Sequence, residues 1–321
     1  MKAIIQERYG ALDVLNSREI DRPEIGQTQV LVRVRAAALH VGDVFSVHGS
    51  PFLVRLATGI LRPKYGVPGF DVAGEVEAIG SHVAQFRVGD LVFGVGQGTC
   101  AEYTRAGEED LVAKPASLSF EEAASIPTSA LAALHGLRAG RVAAGKKLLI
   151  NGASGGVETF QVQIAKSLGA HVTGVCGTAN VELVRSLGAD EVIDYRKADF
   201  TTSSERYDVI IDNVENRSLG EVRRALKPNG TLVLNSGTGA TGLRMLIRLI
   251  RPLVISPFVG HSMKRYLSTP NKADLAELVR LTQEGKLRPV IDRTFPLDRT
   301  EDALRHIEAG HARGKVVVGV A

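Results

Sequence analysis

The sequence predicts an α/β fold in which a doubly wound parallel sheet follows a β-rich first third of the chain and precedes a final segment of mixed character. From residue 146 onward, short apolar runs typical of strands alternate with segments of about ten residues that have helical periodicity. This alternation indicates right-handed βαβ units and a parallel sheet. Before residue 118 the pattern is instead that of strands without intervening helices. A length of 321 residues fits about two domains.

The first third of the chain contains alternating apolar and polar runs that are entered through Pro-Gly and Gly-Asp pairs, as expected of half-buried strands. The strands predicted there are 28–38, 67–80 and 91–95. Ser119 and Glu122 have the spacing of a capping box, which predicts a helix that Pro127 stops. A second helix is expected at 129–139.

The rest of the chain is predicted from the same periodicities and from its glycine turns. In the βαβ region the predicted strands are 146–151, 171–176, 191–195, 207–214 and 230–236, and the predicted helices are 159–169, 180–188 and 219–227. Beyond it we expect helices at 272–284 and 300–310, a loop at 286–297 and a final strand at 315–320.

Composition excludes several classes of protein. The chain is 44% hydrophobic and 23% charged, which is ordinary for a globular protein, and its net charge of +4 without a basic block does not favour a nucleic-acid partner. Cys100 and Cys176 are too few for a disulfide framework or a four-cysteine zinc site, which indicates a reducing compartment. There is no long uncharged run and no signal-peptide pattern. We therefore expect a cytoplasmic protein with no membrane partner.

A glycine-rich turn follows the first strand of the βαβ region and opens into a helix. A strand, such a turn and a helix form a dinucleotide site, in which backbone N–H groups and the helix N-terminus face the pyrophosphate. We therefore expect cofactor contacts from Ser154, Gly155, Gly156 and Val157.

Glu158 is the unusual residue of this turn. Against the pattern G-x-G-x-x-G, the three glycine positions fall on Ala153, Gly155 and Glu158, so a carboxylate replaces the glycine that allows close helix–strand packing. One interpretation is that Glu158 points aside to solvent or pairs with a basic neighbour. The other is that its charge, close to a pyrophosphate, weakens or abolishes dinucleotide binding.

The end of the second strand bears on the choice between NAD and NADP. An NAD site places an Asp or Glu about 20 residues after the glycines, where it holds the ribose hydroxyls. Residues 176–180 hold no carboxylate, although no Arg or Lys lies there to bind a 2′-phosphate either. NADP is therefore favoured over NAD. Thr178 in this turn and Tyr195 after the third strand are the expected contacts on the adenosine side.

Five segments carry a family resemblance that spans essentially the whole chain. They are GFDVAGEVEAIG at 69–80, RVGDLVFG at 87–94, INGASGGV at 150–157, SLGADEVIDY at 186–195 and HARGKVVVGV at 311–320. Together they resemble the medium-chain dehydrogenase/reductase superfamily, in its zinc-independent branch related to quinone oxidoreductase.

The resemblance implies a fold and an activity. It implies a GroES-like β-rich catalytic domain built from residues 1–122 and the return segment 262–321, with a Rossmann NAD(P)-binding domain over 123–261. It also implies a homodimer and hydride transfer from NAD(P)H, in the cleft between the domains, to a quinone, an enone or another carbonyl compound.

The zinc-containing branch of this superfamily holds its catalytic metal with a Cys, a His and a second Cys. At the first of these positions the chain has His40, and at the second it has Phe70. The Cys-rich lobe of that branch is also absent after Gly96. Since a catalytic zinc site needs about three protein ligands, we predict no metal.

The resemblance places residues 40–43 beside the nicotinamide. Because an imidazole can donate a proton near neutral pH, His40 is the first candidate for a general acid, with Asp43 to orient it. His48 is the next candidate. The alternative is that Asp43 caps the following helix and His40 only packs.

Further cofactor contacts are expected where parallel strands end, because ligands of such sheets bind at the carboxyl ends. These residues are Asn213, Val214, Asn235 and Ser236. By resemblance, Thr128 lies where the chain crosses between the domains near the nicotinamide.

Two apolar stretches also carry cations. Residues 51–65 look like an insertion beside the cleft, and residues 243–251 place Arg244, Arg248 and Arg251 at helical spacing. One interpretation is an amphipathic helix that covers the sheet or a dimer seam. Others are a mobile wall for a bulky apolar substrate and a short helix on a membrane surface.

The function that these observations favour is a zinc-independent, NADPH-dependent reductase of an enone, quinone or other small carbonyl compound. The alternatives are a relative that has lost nicotinamide binding through Glu158 and catalyses a non-redox cyclisation, elimination or isomerisation, and a non-catalytic binding protein.

Overall fold

The computed structural model describes residues 1–64, 66–235, 250, 252, 254–256, 259–310 and 312–321. The chain forms two compact units. One comprises Met1–Leu131 together with Thr269–Ala321, and the other comprises Ala132–Ser268. They are called the end unit and the middle unit below.

The described elements are numbered in chain order. The strands are β1 (Lys2–Gln6), β2 (Leu15–Glu19), β3 (Gln29–Leu39), β4 (Asp71–Ile79), β5 (Leu91–Val95), β6 (Tyr103–Gly107), β7 (Leu111–Ala113), β8 (Lys147–Asn151), β9 (His171–Cys176), β10 (Glu191–Asp194), β11 (Tyr207–Asp212), β12 (Leu226–Leu234), β13 (Ser262–Lys264), β14 (Ile291–Pro296) and β15 (Lys315–Gly319). The helices are α1 (Val41–His48), α2 (Val54–Thr58), α3 (Phe120–Ala124), α4 (Pro127–Gly140), α5 (Glu158–Ser167), α6 (Val181–Ser186), α7 (Leu219–Arg224), α8 (Lys272–Gln283) and α9 (Thr300–Glu308).

The middle unit is built on a parallel sheet. Its described strands are arranged in the order β10-β9-β8-β11-β12-β13, and each neighbouring pair is parallel. The order reverses between β8 and β11, and in such sheets ligands bind in the crevice at this switch point. The register pairs Asn151 at the end of β8 with Asp212 at the end of β11, so polar side chains meet there.

The end unit is built on a largely antiparallel sheet. Its described strands follow the order β14-β15-β3-β4-β5-β7, and β6 pairs with β3. The last strand of the chain lies antiparallel to β3, with Val317 opposite Ala38. Both ends of the chain therefore build one β-rich unit, as the family resemblance implies.

Each sheet buries apolar residues on its own core. In the end unit the side chains of Val32, Val72 and Val318 are inaccessible to solvent, and in the middle unit the same holds for Leu149 and Ile210. The continuous apolar runs of β8 and β11 reflect burial on both faces, which is typical of parallel sheets.

Two predicted segments differ from the structure. The helix capped at Ser119 ends at Ala124, before Pro127 as predicted, but the next helix begins at Pro127 and not at residue 129, because the first turn of a helix does not need the missing N–H group. The predicted loop 286–297 contains β14, which pairs in parallel with β15. Three of its six residues are half-buried and three are exposed, and the two kinds do not alternate strictly. The segment therefore lacks the period-two pattern by which a strand is recognised in a sequence.

Within the part of the chain that the structure describes, no helix is both long and apolar enough to cross a membrane.

Candidate active site

The glycine-rich turn lies at the carboxyl end of β8, at the switch point of the parallel sheet. Gly152 has a positive φ of 90°, and a Cβ atom there would lie 2.8 Å from Cγ2 of Val214. Only glycine allows this backbone and this approach. The turn that contains Ser154, Gly155, Gly156 and Val157 is therefore packed against the loop that follows β11.

Asp212 fixes the loop after β11. Its Oδ1 atom accepts hydrogen bonds from Asn151 Nδ2 at 2.8 Å, from the Val214 N–H group at 3.2 Å and from the Glu215 N–H group at 2.8 Å. Burial raises the pKa of this carboxyl, while the hydrogen bonds lower it in part. Sequence reasoning missed Asp212, whose position at the end of an apolar strand was the available signal.

The predicted contact residues after β11 and β12 lie together. Asn213 Nδ2 donates to Gln161 Oε1 of α5 at 2.9 Å, and Asn213 Oδ1 accepts from Asn235 Nδ2 at 2.9 Å. Val214 is exposed beside them. The amides of three elements thus form one network at the carboxyl edge of the sheet. Ser236 lies outside the described residues.

The predicted adenosine-side residues are also brought near one another. Cys176 at the end of β9 lies opposite Asp194 at the end of β10, which aligns the loops that follow. The Tyr195 hydroxyl would lie 3.1 Å from a Cβ on Gly177, so this exposed ring covers the turn that contains Thr178. The two predicted residues therefore flank one turn.

Asp194 is an acidic residue of this region that sequence reasoning did not consider. Thr178 Oγ1 donates to Asp194 Oδ2 at 2.7 Å, and the Arg196 N–H group donates to Asp194 Oδ1. Both hydrogen bonds lower the pKa of the Asp194 carboxyl. On the other side of the turn, Asn180 Nδ2 donates to Ser154 Oγ at 2.9 Å. Hydrogen bonds thus tie the turn after β9 both to the glycine-rich turn and to the end of β10.

The carboxylate of Glu158 lies over the glycine-rich turn. Its Oε2 atom lies over Gly155, where a Cβ atom would collide with it, and the residue is half-buried. Burial raises the pKa of this carboxyl to about 7, the backbone of Val157 and Glu158 opposes that shift, and none of the described Lys, Arg or His side chains contributes to it. Of the first interpretation, the basic partner is not found among the described residues, and the exposure to solvent is only partial.

The geometry of the turn fits a dinucleotide at all but one point. The sharp turn that the positive φ of Gly152 allows, the N–H groups of the turn and the helix N-terminus of α5 are the features that a pyrophosphate needs. The Glu158 carboxylate, however, already lies over Gly155 beside that helix N-terminus. The residues fit the group once this side chain moves.

In the end unit, His40 is the residue that precedes α1. Its Nδ1 atom accepts a hydrogen bond from the Gly42 N–H group at 2.9 Å, and Asp43 Oδ2 accepts from the His40 N–H group at 2.8 Å. The structure thus shows Asp43 capping the start of α1, as the alternative interpretation expects. Because Nδ1 is an acceptor, the ring proton is assigned to Nε2.

The Nε2 atom of His40 is buried and has no hydrogen-bond partner among the described residues. The ring stacks on Phe70 with 6.0 Å between ring centroids and 13° between planes. The assigned tautomer leaves an Nε2–H group that can donate a hydrogen bond to an oxygen atom placed beside the ring.

Asp43 is fully buried, and its Oδ1 atom has no partner in the described part of the chain. Burial is the largest cause that raises its pKa, and the nearby charge of Asp71 adds to it, whereas His40 and Lys315 lower it. Asp43 Oδ2 also lies 3.5 Å from His40 Nδ1. Asp43 thus fixes the backbone of His40, whereas the Gly42 N–H group holds its ring.

The structure does not bring His48 to His40. The two residues stand at opposite ends of α1, about 12 Å apart along the helix axis. His48 Nε2 lies 3.1 Å from Glu308 Oε1 of α9 without hydrogen-bond geometry. His48 is therefore engaged on another part of the end unit.

Thr128 belongs to a buried network that sequence reasoning missed. Its N–H and hydroxyl groups both donate to Asp71 Oδ1. The ammonium of Lys315 lies 3.3 Å from Asp71 Oδ2 and 2.8 Å from Ser129 Oγ. Lys315, Asp71 and Ser129 are almost completely buried. The network links β4, the first turn of α4 and β15 in the end unit.

Among the residues that the structure describes, no group of three or more His, Cys, Asp or Glu side chains is arranged to hold a metal ion. The two cysteines are buried and unpaired, and burial raises the pKa of both thiols.

The insertion at 51–65 exposes apolar side chains around α2. Leu61 is 91% exposed, and Phe52 and Leu56 are also largely exposed, while Arg55 lies 4.5 Å from the centre of the Tyr9 ring. Apart from Ile250, residues 243–251 with their three arginines lie outside the described residues.

Comparisons with known proteins identify the family. Residues 26–136 match the family described as "Alcohol dehydrogenase GroES-like domain", and residues 187–318 match the family described as "Zinc-binding dehydrogenase". The 2-methylene-furan-3-one reductase of Solanum lycopersicum is 33% identical over 99% of this chain and 79% of its own length. The NADPH-dependent alkenal/one oxidoreductase of Arabidopsis thaliana, a chloroplastic protein, is 34% identical over the same shares.

A solved structure agrees with these matches. The quinone oxidoreductase from Coxiella burnetii superposes with a TM-score of 0.87 at 32% identity, and the match covers 100% of this chain and 99% of that one. The predicted fold class and oxidoreductase class are confirmed by these findings. The chain belongs to the medium-chain dehydrogenase/reductase superfamily, in its quinone oxidoreductase-like branch.

Proposed function

We propose that this chain is an NADPH-dependent reductase of enones, quinones or related carbonyl compounds and works without zinc. The observation that carries the proposal is the likeness, over 99% of the chain, to a 2-methylene-furan-3-one reductase and to an NADPH-dependent alkenal/one oxidoreductase. The glycine-rich turn and the amide network at the carboxyl edge of the parallel sheet support it, since nicotinamide cofactors bind at such edges.

The middle unit binds the cofactor in this proposal. The turn from Ser154 to Val157 holds the pyrophosphate, Thr178 and Tyr195 lie beside the adenosine, and Asn213 and its neighbours lie toward the nicotinamide. NADPH, when bound, would supply a hydride to the β-carbon of a conjugated carbonyl compound. Water supplies the proton for the α-carbon, which balances the reduction of the C=C bond.

The end unit stabilises the charge that develops during this step. Addition of a hydride to an enone places negative charge on the carbonyl oxygen, and a preorganised donor lowers the barrier. The Nε2–H group of His40 is such a donor, because its ring is held by the Gly42 N–H group and by stacking on Phe70. His40 is therefore proposed as an oxygen-stabilising residue. Thr128, held by Asp71, is proposed to contact the cofactor.

The test measures loss of NADPH absorbance with a conjugated enone and with a quinone. His40→Asn keeps an oxygen that can cap α1 but removes the Nε2–H donor. We expect kcat to fall about 100-fold, as for loss of one oxyanion donor, with little change in NADPH affinity or thermal stability. His82→Ala, a change of an exposed histidine in the same unit, is the matched control. Unaltered turnover in His40→Asn would remove His40 from the proposal.

A second candidate function is favoured by the position of Glu158. If its carboxylate keeps the pyrophosphate out, the same fold would carry out a non-redox elimination, cyclisation or isomerisation. Turnover of a substrate without any nicotinamide present, and no NADPH oxidation with any enone or quinone, would distinguish this function.

The proposal includes a homodimer in the cytoplasm that acts on small molecules. Analytical ultracentrifugation of the purified chain and fractionation of its host cells measure these two points.

A further inference from the structure

The carboxylate of Glu158 lies where an anionic ligand is expected. Its Oε2 atom lies over Gly155, and the backbone N–H groups of Val157 and Glu158 favour its charged form. These groups belong to the start of α5, a helix of ten residues. A helix start attracts anions because its first N–H groups lack partners and carry partial positive charge.

Two further observations show that this helix start is polar and incompletely satisfied. The hydroxyl of Thr159, in the same first turn, is fully buried and has no hydrogen-bond partner among the described residues. The Tyr266 hydroxyl is also buried without such a partner, and the negative charge of Glu158 raises the pKa of this phenol. A dinucleotide pyrophosphate would bind the N–H groups of this helix start, beside which the Glu158 carboxylate now lies.

We propose that Glu158 fills the pyrophosphate position of the cofactor site with its own carboxylate, so that NADPH binding moves this side chain off the helix start, keeps it buried beside the pyrophosphate and is coupled to uptake of a proton by Glu158. The inference rests on the proposed NADPH-dependent function. It makes Glu158 the residue that determines how cofactor affinity depends on pH.

The charges around Glu158 explain why displacement is coupled to protonation. Tyr266 is the titratable group that interacts with the charge of Glu158. Burial, together with that charge, raises the pKa of the Tyr266 phenol, so the phenol stays neutral. Arg265, next to Tyr266, forms a two-point ion pair with Glu215 at 2.8 and 2.9 Å. Among the described residues no cation contributes to the pKa of Glu158, which burial raises to about 7. A pyrophosphate close by would raise that pKa further, because like charges disfavour ionisation.

The sign of the pH dependence follows from this. Below pH 7 the Glu158 carboxyl is largely neutral and competes weakly for the N–H groups, whereas above pH 7 it is ionised and competes strongly. If NADPH binds only the protonated form, its Kd rises about tenfold from pH 6 to pH 8.

The experiment is calorimetric titration with NADPH at pH 6, 7 and 8, each in two buffers of different ionisation enthalpy, to count protons taken up. It uses the whole chain as wild type, Glu158→Gln and Glu158→Gly, with Glu182→Gln as a matched exposed control on α6. NADH is titrated in parallel, because it keeps the pyrophosphate but lacks the 2′-phosphate, which itself titrates in this range.

The expected result is proton uptake above pH 7 with both cofactors by the wild type and by Glu182→Gln, and none with NADH by the two Glu158 variants. The wild-type Kd rises with pH about as calculated, and Glu158→Gly binds more tightly than the wild type at pH 8. Equal proton uptake and equal pH dependence in wild type and Glu158→Gln would overturn the inference while leaving the proposed function intact. No binding of NADPH by any variant, Glu158→Gly included, would overturn the proposed function itself.

Discussion

Both units of the molecule place an acidic side chain at the start of a helix, but the two carboxylates have different surroundings. In the end unit Asp71 accepts two hydrogen bonds from Thr128 in the first turn of α4, and the buried ammonium of Lys315 lies 3.3 Å from its other oxygen. In the middle unit the Glu158 carboxylate lies over Gly155 at the start of α5 and has no described cation beside it.

The two carboxylates therefore differ in what stabilises their negative charge. A buried carboxylate is stable as an ion when a cation and hydrogen bonds replace the water that it loses. Asp71 has both, whereas Glu158 has backbone N–H groups alone, and the pKa of Glu158 is raised to about 7 in consequence. We infer that Asp71 holds the end unit together and that Glu158 gains or loses its proton near neutral pH.

The largest expected effect comes from removing the cation of the end unit. Lys315→Met leaves Asp71 buried without its ammonium partner, and loss of one partner of a buried pair destabilises by about 3–5 kcal/mol. Urea unfolding at pH 7 measures it. The loss should become much smaller in the double variant Lys315→Met/Asp71→Asn, which has no unpaired charge.

A surface pair provides the control for this change. Lys286 lies 2.8 Å from Glu284, and both side chains are well exposed to solvent. Lys286→Met should alter the free energy of unfolding by less than about 0.5 kcal/mol, because solvent screens such pairs. If Lys315→Met cost no more than Lys286→Met, the contrast between Asp71 and Glu158 would not hold.

The sequence predicts the scaffold of both sites but not these contacts. The βαβ region, the position of the glycine-rich turn and the capping box at Ser119 follow from local periodicity and spacing, and the structure has all three. The pairing of Asp71 with Lys315 joins residues 244 positions apart, which no local pattern reveals.

The direction of Glu158 is a second feature that the sequence leaves open. Its type and position were evident, yet solvent exposure and contact with the turn are both compatible with a residue at the start of a helix. The choice depends on the space over Gly155 and on the absence of a nearby cation among the described residues. These are properties of the folded packing. The strand β14 was missed for a related reason, since its residues do not alternate clearly between buried and exposed.

An effect of intermediate size is expected for Glu158→Gln in the absence of cofactor. The folded pKa of about 7 lies above the ordinary value of 4.5, so folding favours the neutral form. The stability that this provides is complete below pH 4.5 and is lost as pH rises to 7. Relative to wild type, Glu158→Gln should therefore gain about 1–3 kcal/mol between pH 4.5 and 7, allowing for the partial exposure of the residue, and no more above pH 7.

Unfolding by urea at pH 4.5, 6 and 8 tests this gain. Glu182→Gln, on the exposed face of α6, should show no comparable dependence on pH. The same gain at pH 4.5 and pH 8 would mean that Glu158 does not titrate in this range, and the two carboxylates would then differ only in their partners.

The smallest expected effect concerns two helix caps that are alike in the two units. Ser119 before α3 and Ser218 before α7 each accept a hydrogen bond from the third helical N–H group, at 3.1 and 3.3 Å, and each donor residue is a glutamate that caps in return. Ser119→Ala and Ser218→Ala should each cost about 1 kcal/mol. Differential scanning calorimetry measures both at one pH.

Because the caps are matched, the two variants compare the units without touching their buried charges. If the units unfold in separate transitions, Ser119→Ala lowers the melting temperature of the end unit and Ser218→Ala that of the middle unit. Equal losses would leave the cation beside Asp71 as the source of the larger difference seen with Lys315→Met. Losses that differ by more than about twofold would show that helix capping itself has a different weight in the two units, and the comparison of Asp71 with Glu158 would then need that correction.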